Sequence, residues 1–331
     1  MRIVALEEHF TVPALASRID LDAITRRGFP PPGTVWSLTI KQPQLQDLGP
    51  ARMADMDAAG ITVQVLSLSG AGADLVPGPK GVSLAREFND TLKGAIDENP
   101  QRMAGFAHLP MLSPEAAADE LERCVTQLGF NGALINGLTD GRFLDDLRFD
   151  PILARAEHLD VPIYLHPWIP PASVREAYYA GLPEPLGFML SVAGWGWHME
   201  TAIHVLRLVL SGTLERHPRL KLIVGHMGES LPFMLARSEA ILGREFRKIS
   251  QRSLAETILQ QVWITTSGFF TLPPLMAALA TFGADRILFS VDYPFSANAA
   301  GRRFLDDLPV SPEDKAKIAH GNADRLLKLP V

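Results

Sequence analysis

Apolar positions along the chain fall into short, nearly continuous runs that alternate with stretches of helical periodicity. The runs Ile3–His9, Val63–Ser67, Met103–Leu109, Gly132–Asn136, Pro162–His166, Leu220–Val224, Trp263–Thr266 and Arg286–Ser290 read as eight strands. Several of them, such as Ala133-Leu134-Ile135 and Leu222-Ile223-Val224, are apolar at consecutive positions. Strands covered on both faces by helices look like this, which favours a parallel sheet. Between the runs, helical spacing predicts helices over Leu84–Ile96, Pro114–Leu128, Asp150–Leu159, Thr201–Leu214, Leu231–Leu242 and Leu272–Phe282. Ser113-Pro114 and Ser311-Pro312 each supply a capping residue followed by proline at the first helical position. Eight βα units in 331 residues predict a closed (β/α)8 barrel of the TIM type. No internal repeat or linker breaks the series, so residues 1–331 read as a single domain. An open doubly wound sheet is the alternative, but no Gly-x-Gly-x-x-Gly follows the first strand. Long insertions follow strands 1 and 5, at about Thr11–Pro50 and Trp168–Trp197. Both leave the carboxyl ends of strands, where barrels of this kind build their sites.

Composition narrows the range of functions. Hydrophobic residues make up 47% and charged residues 21% of the chain, an ordinary globular mix. No apolar stretch approaches the ~20 residues of a membrane helix. The net charge is −6 and the basic residues are scattered, which argues against nucleic acid as a partner. The one cysteine, Cys124, falls in an apolar helical pattern and reads as a buried inert thiol. Without a disulfide framework or a secretory leader, the expected compartment is the cytoplasm. The expected partner is a small molecule.

The polar residues at the strand ends carry the chemistry. Side chains alternate along a strand, so Glu7 and His9 share a face and Glu8 takes the other. The fifth strand ends at His166-Pro167, the sixth runs into His226-Met227-Gly228-Glu229, and the eighth into Asp292-Tyr293-Pro294. A lone histidine in such a place is usually a structural one. So many ionisable groups gathered at one barrel mouth would cost several kcal/mol each without a cation. A divalent metal ion resolves that cost, because it binds imidazole and carboxylate together. The fourth strand ends Ile135-Asn136-Gly137 with no lysine to bridge a second ion, so one metal is expected. Asn136 is a candidate substrate contact or a turn cap, His108 reads equally well as a pocket residue or as buried core, and His204 reads as core or interface.

These residues resemble the metal-dependent decarboxylase branch of the amidohydrolase superfamily. That branch is typified by aminocarboxymuconate semialdehyde decarboxylase and includes the 2,6-dihydroxybenzoate (γ-resorcylate) and 2,3-dihydroxybenzoate decarboxylases. Glu7-Glu8-His9-Phe10, His166-Pro167, Gly225-His226-Met227-Gly228-Glu229, Thr265-Thr266-Ser267-Gly268 and Leu288-Phe289-Ser290-Val291-Asp292-Tyr293-Pro294-Phe295 carry the likeness. The resemblance implies the barrel fold and one Zn²⁺ or Mn²⁺ held by Glu7, His9, His166 and Asp292. It makes His226 a further active-site histidine and places Glu229 and Arg237 about the pocket. It also implies a homodimer or homotetramer. The Trp168–Trp197 insertion departs from the dihydroxybenzoate enzymes, and that loop bears on the substrate.

The expected reaction is non-oxidative decarboxylation of a hydroxylated aromatic acid. The metal would chelate the carboxylate and a neighbouring phenolic oxygen, and Asp292 would protonate the ring carbon. His226 would orient the substrate or tune Asp292. Phe29 and Trp197 are candidates for packing on the ring. The alternative activity is hydrolysis of a lactone or amide by a metal-bound hydroxide, since the same ligands serve both. A non-catalytic metal-stabilised barrel is a further alternative, which would show damaged ligands or a blocked mouth.

Overall fold

The computed structural model describes residues 1–29 and 41–330. Parallel strands β1 (Val4–Phe10), β2 (Val63–Leu68) and β3 (Met103–Gly105) form one ladder. A second ladder runs through β4 (Ala133–Asn136), β5 (Pro162–His166), β6 (Lys221–Val224), β7 (Val262–Thr265) and β8 (Ile287–Leu288) in chain order. The bridge Ala107↔Ala133 joins β3 to β4. Across the other gap, Glu7 N–H donates to Ser290 Oγ (2.7 Å) and His9 N–H to the Tyr293 carbonyl (2.8 Å). The barrel therefore closes, and the fold is the (β/α)8 barrel that the strand pattern predicts.

Several boundaries differ from the expected ones. β3 stops at Gly105 rather than Leu109, and β8 spans only Ile287–Leu288. Beyond Leu288 the Phe289 N–H turns to the Ile318 carbonyl (2.9 Å), so the ladder ends there. The helix expected over Thr201–Leu214 runs over Gly196–Leu210. Gly212, at φ 76°, then breaks the chain before a short turn at Thr213–Arg216. Ser311 caps its helix through the Asp314 N–H (3.1 Å), whereas the Ser113 hydroxyl makes no capping bond. His217 is buried, with Nε2 2.9 Å from Asp150 Oδ1.

Inward residues of the strands, among them Val4, Leu6, Val65, Tyr164 and Ile223, pack with one another and with Phe106 just beyond β3. Ala323, Leu326 and Leu327 of the C-terminal helix Asn322–Leu327 join the same cluster and plug the barrel. The outward residues pack on the surrounding helices. The insertion after β1 includes helix Leu21–Arg27, capped by Asp20, and Pro30–Gly33 of its proline-rich stretch lie outside the described residues. The insertion after β5 carries helices Ala172–Tyr179 and Leu186–Ser191. Trp168, Ile169 and Val192 from this insertion pack with Phe29 from the first and with Phe188 and Trp197. The two insertions thus share a small apolar cluster. Among the described residues no helix is long and apolar enough to cross a membrane.

Candidate metal centre

The site begins with an irregularity in β1. Its register against β2 shifts between Ala5 and Glu8, one residue extra on the β1 side. Val4 and Leu6 point into the barrel core. Strict alternation would then send Glu7 outward. The bulge resets the phase, so Glu7 faces the barrel interior and meets Tyr164, Thr265 and Ser267 from β5 and the end of β7. Glu8 takes the opposite side and accepts the Val291 (2.9 Å) and Tyr293 (3.0 Å) N–H groups. It thereby ties β1 to the loop that presents Asp292. Burial pushes the Glu8 carboxyl up to about 8 against those two backbone donors.

Glu7, His9, His166 and Asp292 come together with one potential ligand atom each, all within 4.8 Å of one another. Glu7 Oε2 accepts from the Tyr164, Ser267 and Thr265 hydroxyls. Glu7 Oε1 is left 3.3 Å from His166 Nε2 and 3.4 Å from His226 Nε2, without a hydrogen bond. His9 Nδ1 is engaged by Ser67 Oγ at 3.2 Å. His9 Nε2 lies 3.2 Å from Asp292 Oδ1 and likewise makes no hydrogen bond. Buried polar atoms are normally paired, and these orphaned lone pairs converge. Imidazole and carboxylate donors so arranged fit a divalent cation. Burial works to raise the Glu7 carboxyl, but the imidazoles of His226, His166 and His9 outweigh it and hold it below the usual carboxylate range. Burial likewise opposes, and His226 and His9 enforce, a lowered Asp292. Both side chains are ready-made anions.

Glycines make room for this packing. A Cβ at Gly225 would lie 2.7 Å from Glu7 Oε2 and 3.1 Å from the Tyr164 hydroxyl. Next to it His226, Met227, Glu229 and Ser230 all have positive φ. This tight coil brings His226 Nδ1 to 2.7 Å from Glu229 Oε1 and turns His226 Nε2 to 3.8 Å from Asp292 Oδ2. The other Glu229 oxygen is 2.5 Å from His198 Nδ1, on helix Gly196–Leu210. Burial disfavours a charged His226, but Glu7, Glu229 and Asp292 reverse that and raise it well above the usual imidazole value.

Other candidates sit further out. Asn136 is buried at the end of β4 and lines a small cleft beside His166. Phe29 packs on Trp168, with ring centroids 5.3 Å apart, and Trp197 Nε1 donates to His198 Nε2 at 3.2 Å. Both aromatic rings anchor the insertions. Arg237 differs from expectation: it is exposed on helix Leu231–Phe246, whose buried residues are Leu231, Pro232, Leu235, Gly243 and Phe246. Its side chain points to solvent because the inner face of that helix is apolar. Sequence reasoning missed Tyr164, Thr265, Ser267 and the role of His198. Tyr164 stands two residues before His166 on one strand face, and Thr265 two before Ser267. That period of two was the available signal.

The protein-family model described as amidohydrolase matches residues 9–329. The chain is 39% identical to decarboxylase orsB of Emericella nidulans, covering 99% of this chain and 97% of that protein. It is 39% identical to the γ-resorcylate decarboxylase of Rhizobium sp., covering 98% of each. A crystal structure of dihydroxybenzoic acid decarboxylase from Polaromonas sp. JS666, with bound manganese and the inhibitor 2-nitroresorcinol, superimposes with a TM-score of 0.86. It is 34% identical and covers 99% of this chain and 97% of that one.

Proposed function

The chain belongs to the amidohydrolase family, and from that premise we propose that it is a metal-dependent carboxy-lyase that removes CO₂ without oxidation from a dihydroxybenzoate-type aromatic acid. The single observation that carries this reading is the convergence of the unpaired Glu7 Oε1 and His9 Nε2 on one point with His166 and Asp292. Similarity over nearly the whole chain to decarboxylases of hydroxylated aromatic acids supports it.

Glu7, His9, His166 and Asp292 would hold one divalent ion, Zn²⁺ or Mn²⁺; manganese is bound in the Polaromonas relative. When bound, such an ion supplies Lewis acidity toward a carboxylate and a neighbouring phenolic oxygen. The chain's own residues supply the proton. His226 holds one, stabilised by Glu229 at Nδ1, and presents Nε2 toward Asp292 Oδ2. Asp292, an anion at rest, takes that proton as substrate arrives and passes it to the ring carbon that bears the carboxylate. The C–H bond forms, the C–C bond to the carboxylate breaks, and its electron pair restores the aromatic ring as CO₂ departs. Asp292 returns to its anionic form and His226 regains a proton from solvent, one for each CO₂ released. The rings of His166 and Trp168, with centroids 6.3 Å apart, form an aromatic wall beside the metal ligands.

The proposed assembly is a homo-oligomer. Phe233, Ile241, Leu272 and Met276 are exposed apolar side chains on helices Leu231–Phe246 and Leu272–Phe282, which pack together. Arg237 shares the helical stripe of Phe233 and Ile241, so it would meet a second copy rather than substrate in its own chain. The direct test of the reaction loads the protein with Mn²⁺ or Zn²⁺ and follows CO₂ and phenol release from a panel of hydroxybenzoates. Release from at least one is expected. A loaded protein that releases none, yet hydrolyses a lactone or amide, would show the reading to be wrong.

A further inference from the structure

The mouth of the barrel has a second polar feature, on the side away from β8. A small cleft of about 10 Å³, room for roughly one water molecule and partly open to solvent, is lined by Asp74, His108, Met111, Ile135, Asn136 and Thr139. It adjoins the metal ligands: Asn136 is the Cα partner of His166, and the Gly137 N–H donates to the His166 carbonyl at 2.8 Å. Asp74 Oδ1 is buried there and has no hydrogen-bond partner among the described residues.

His108 does not fill that need. Its Nε2 is 3.6 Å from Asp74 Oδ1, but the same nitrogen accepts the Ala73 N–H at 2.9 Å. That nitrogen therefore carries a lone pair, not a proton, and burial keeps the ring neutral by lowering its pKa. Two lone pairs face one another with no hydrogen between them. The arrangement is held firmly. Asn89 clamps the His108 backbone at both N–H and carbonyl (2.9 Å each). A Cβ at Gly72 would lie 2.4 Å from His108 Nε2 and 2.9 Å from Asp74 Oδ1. Nearby, Arg27 from the first insertion is mostly buried. Its guanidinium lies 6.0 Å from the Trp168 ring centroid, donates to the Ile169 and Leu138 carbonyls, and feels the charge of Asp74.

We propose that this cleft is the subsite for a second ring hydroxyl, other than the one that would join the departing carboxylate at the metal, with Asp74 as its hydrogen-bond acceptor. The inference rests on the decarboxylase reading above and assigns the side chain that would receive the second hydroxyl. A neutral phenolic O–H supplies the hydrogen that Asp74 lacks. A methyl ether at the same position cannot donate, and a second carboxylate meets a like charge. The preferred acid therefore carries, besides the hydroxyl beside its carboxylate, a further free hydroxyl.

The test compares wild type with Asp74→Ala and Asp74→Asn, all metal-loaded, on 2,3-, 2,4- and 2,6-dihydroxybenzoate, the monomethyl ether of each at the second hydroxyl, and 2-hydroxybenzoate. Wild type should prefer one dihydroxy acid over its ether by about 10-fold or more in kcat/KM, since a polar site left unpaired by the wrong substituent discriminates strongly. Both variants should lose most of that preference, chiefly through KM, while turnover of 2-hydroxybenzoate changes little. Variants that keep the preference, or that lose activity equally on every acid, overturn the proposal. A second readout needs no turnover: calorimetric affinity of the same proteins for phenol, catechol and resorcinol. If no acid releases CO₂, the decarboxylase reading falls. The subsite still stands if a dihydric phenol binds more tightly than phenol and Asp74→Ala abolishes the difference. Equal affinity of wild type for all the phenols overturns it.

Discussion

Replacing Gly225 by alanine would disturb the metal ligands without touching one of them. The backbone there, at φ −68° and ψ −175°, accepts any residue, so the change carries no conformational strain. The added methyl would lie 2.7 Å from Glu7 Oε2 and 3.2 Å from Glu7 Oε1. A relaxed carbon–oxygen contact needs about 3.3 Å or more, so the carboxylate must retreat by roughly half an ångström. An exposed carboxylate would simply swing aside. Glu7 is fully buried, and its Oε2 is held by the Tyr164, Ser267 and Thr265 hydroxyls, so retreat breaks some of those bonds and shifts Oε1 as well. A displacement of that size exceeds the ~0.2 Å tolerance of ligand distances in a well-formed metal site. The expected result is a 10- to 100-fold weaker metal affinity, about 1.4–2.7 kcal/mol, similar to losses on mutating the groups that orient a ligand. Chelator competition measures the affinity, and circular dichroism of the metal-free protein reports the fold. Gly94→Ala is the matched control, because a Cβ there meets nothing within 4 Å and the residue lies in helix Gly78–Glu98. It should leave the affinity alone and stabilise the fold by up to about 1 kcal/mol. Wild-type metal affinity in Gly225→Ala would refute the placement of Glu7 as a ligand pinned against β6.

Three further outcomes are expected. Glu229→Gln keeps the shape but turns an amide N–H₂ toward one of the two histidines that the carboxylate bridges; kcat should fall by at least about 10-fold, the scale of a lost charge-assisted hydrogen bond, with metal affinity little changed. His204 is buried, accepts the Leu144 N–H at 2.9 Å, and is lowered from 6.5 to about 4 by burial, which the Asp145 charge only partly offsets. Between those values the unfolded chain binds the extra proton, so its contribution is fully present above about pH 6.5 and is lost as pH falls toward 4, by roughly 3 kcal/mol in all; urea titrations across that range should show the slope, and His204→Gln should remove it. Phe233→Asp places a charge on the exposed apolar face of helix Leu231–Phe246 and should shift the protein to a smaller species in analytical ultracentrifugation, with an unchanged sedimentation profile counting against that face as the interface.

How much of the site could be read from the sequence follows from how each residue is positioned. His166 sits at the end of a regular strand, and period two fixes which face it takes. Glu7 and His9 share a face for the same reason, but which face is decided by the bulge between Ala5 and Glu8, and a bulge leaves no trace in a run of apolar residues. Tyr164 was hidden differently: inside Pro-Ile-Tyr-Leu an aromatic ring reads as core, and only the fold reveals that its hydroxyl reaches Glu7 across the barrel. His198 and Asp74 were beyond pattern reading altogether, and Glu229 was placed about the pocket only by the family resemblance. Two of them follow strands in coil or short turns, where no periodicity constrains direction, and His198 lies in a helix whose start was expected several residues later. The same division bears on specificity. Three of the ligands that would hold the metal, Glu7, His9 and His166, are set by strand register, which tolerates little change without loss of the barrel, and the fourth, Asp292, sits in a loop tied to β1 by Glu8. The groups that would choose the substrate, Asp74, Arg27 and Trp168, hang from segments after β2, β1 and β5 that the barrel does not constrain. A change of substrate therefore requires changes only in those segments, and the barrel can keep its metal chemistry while they vary.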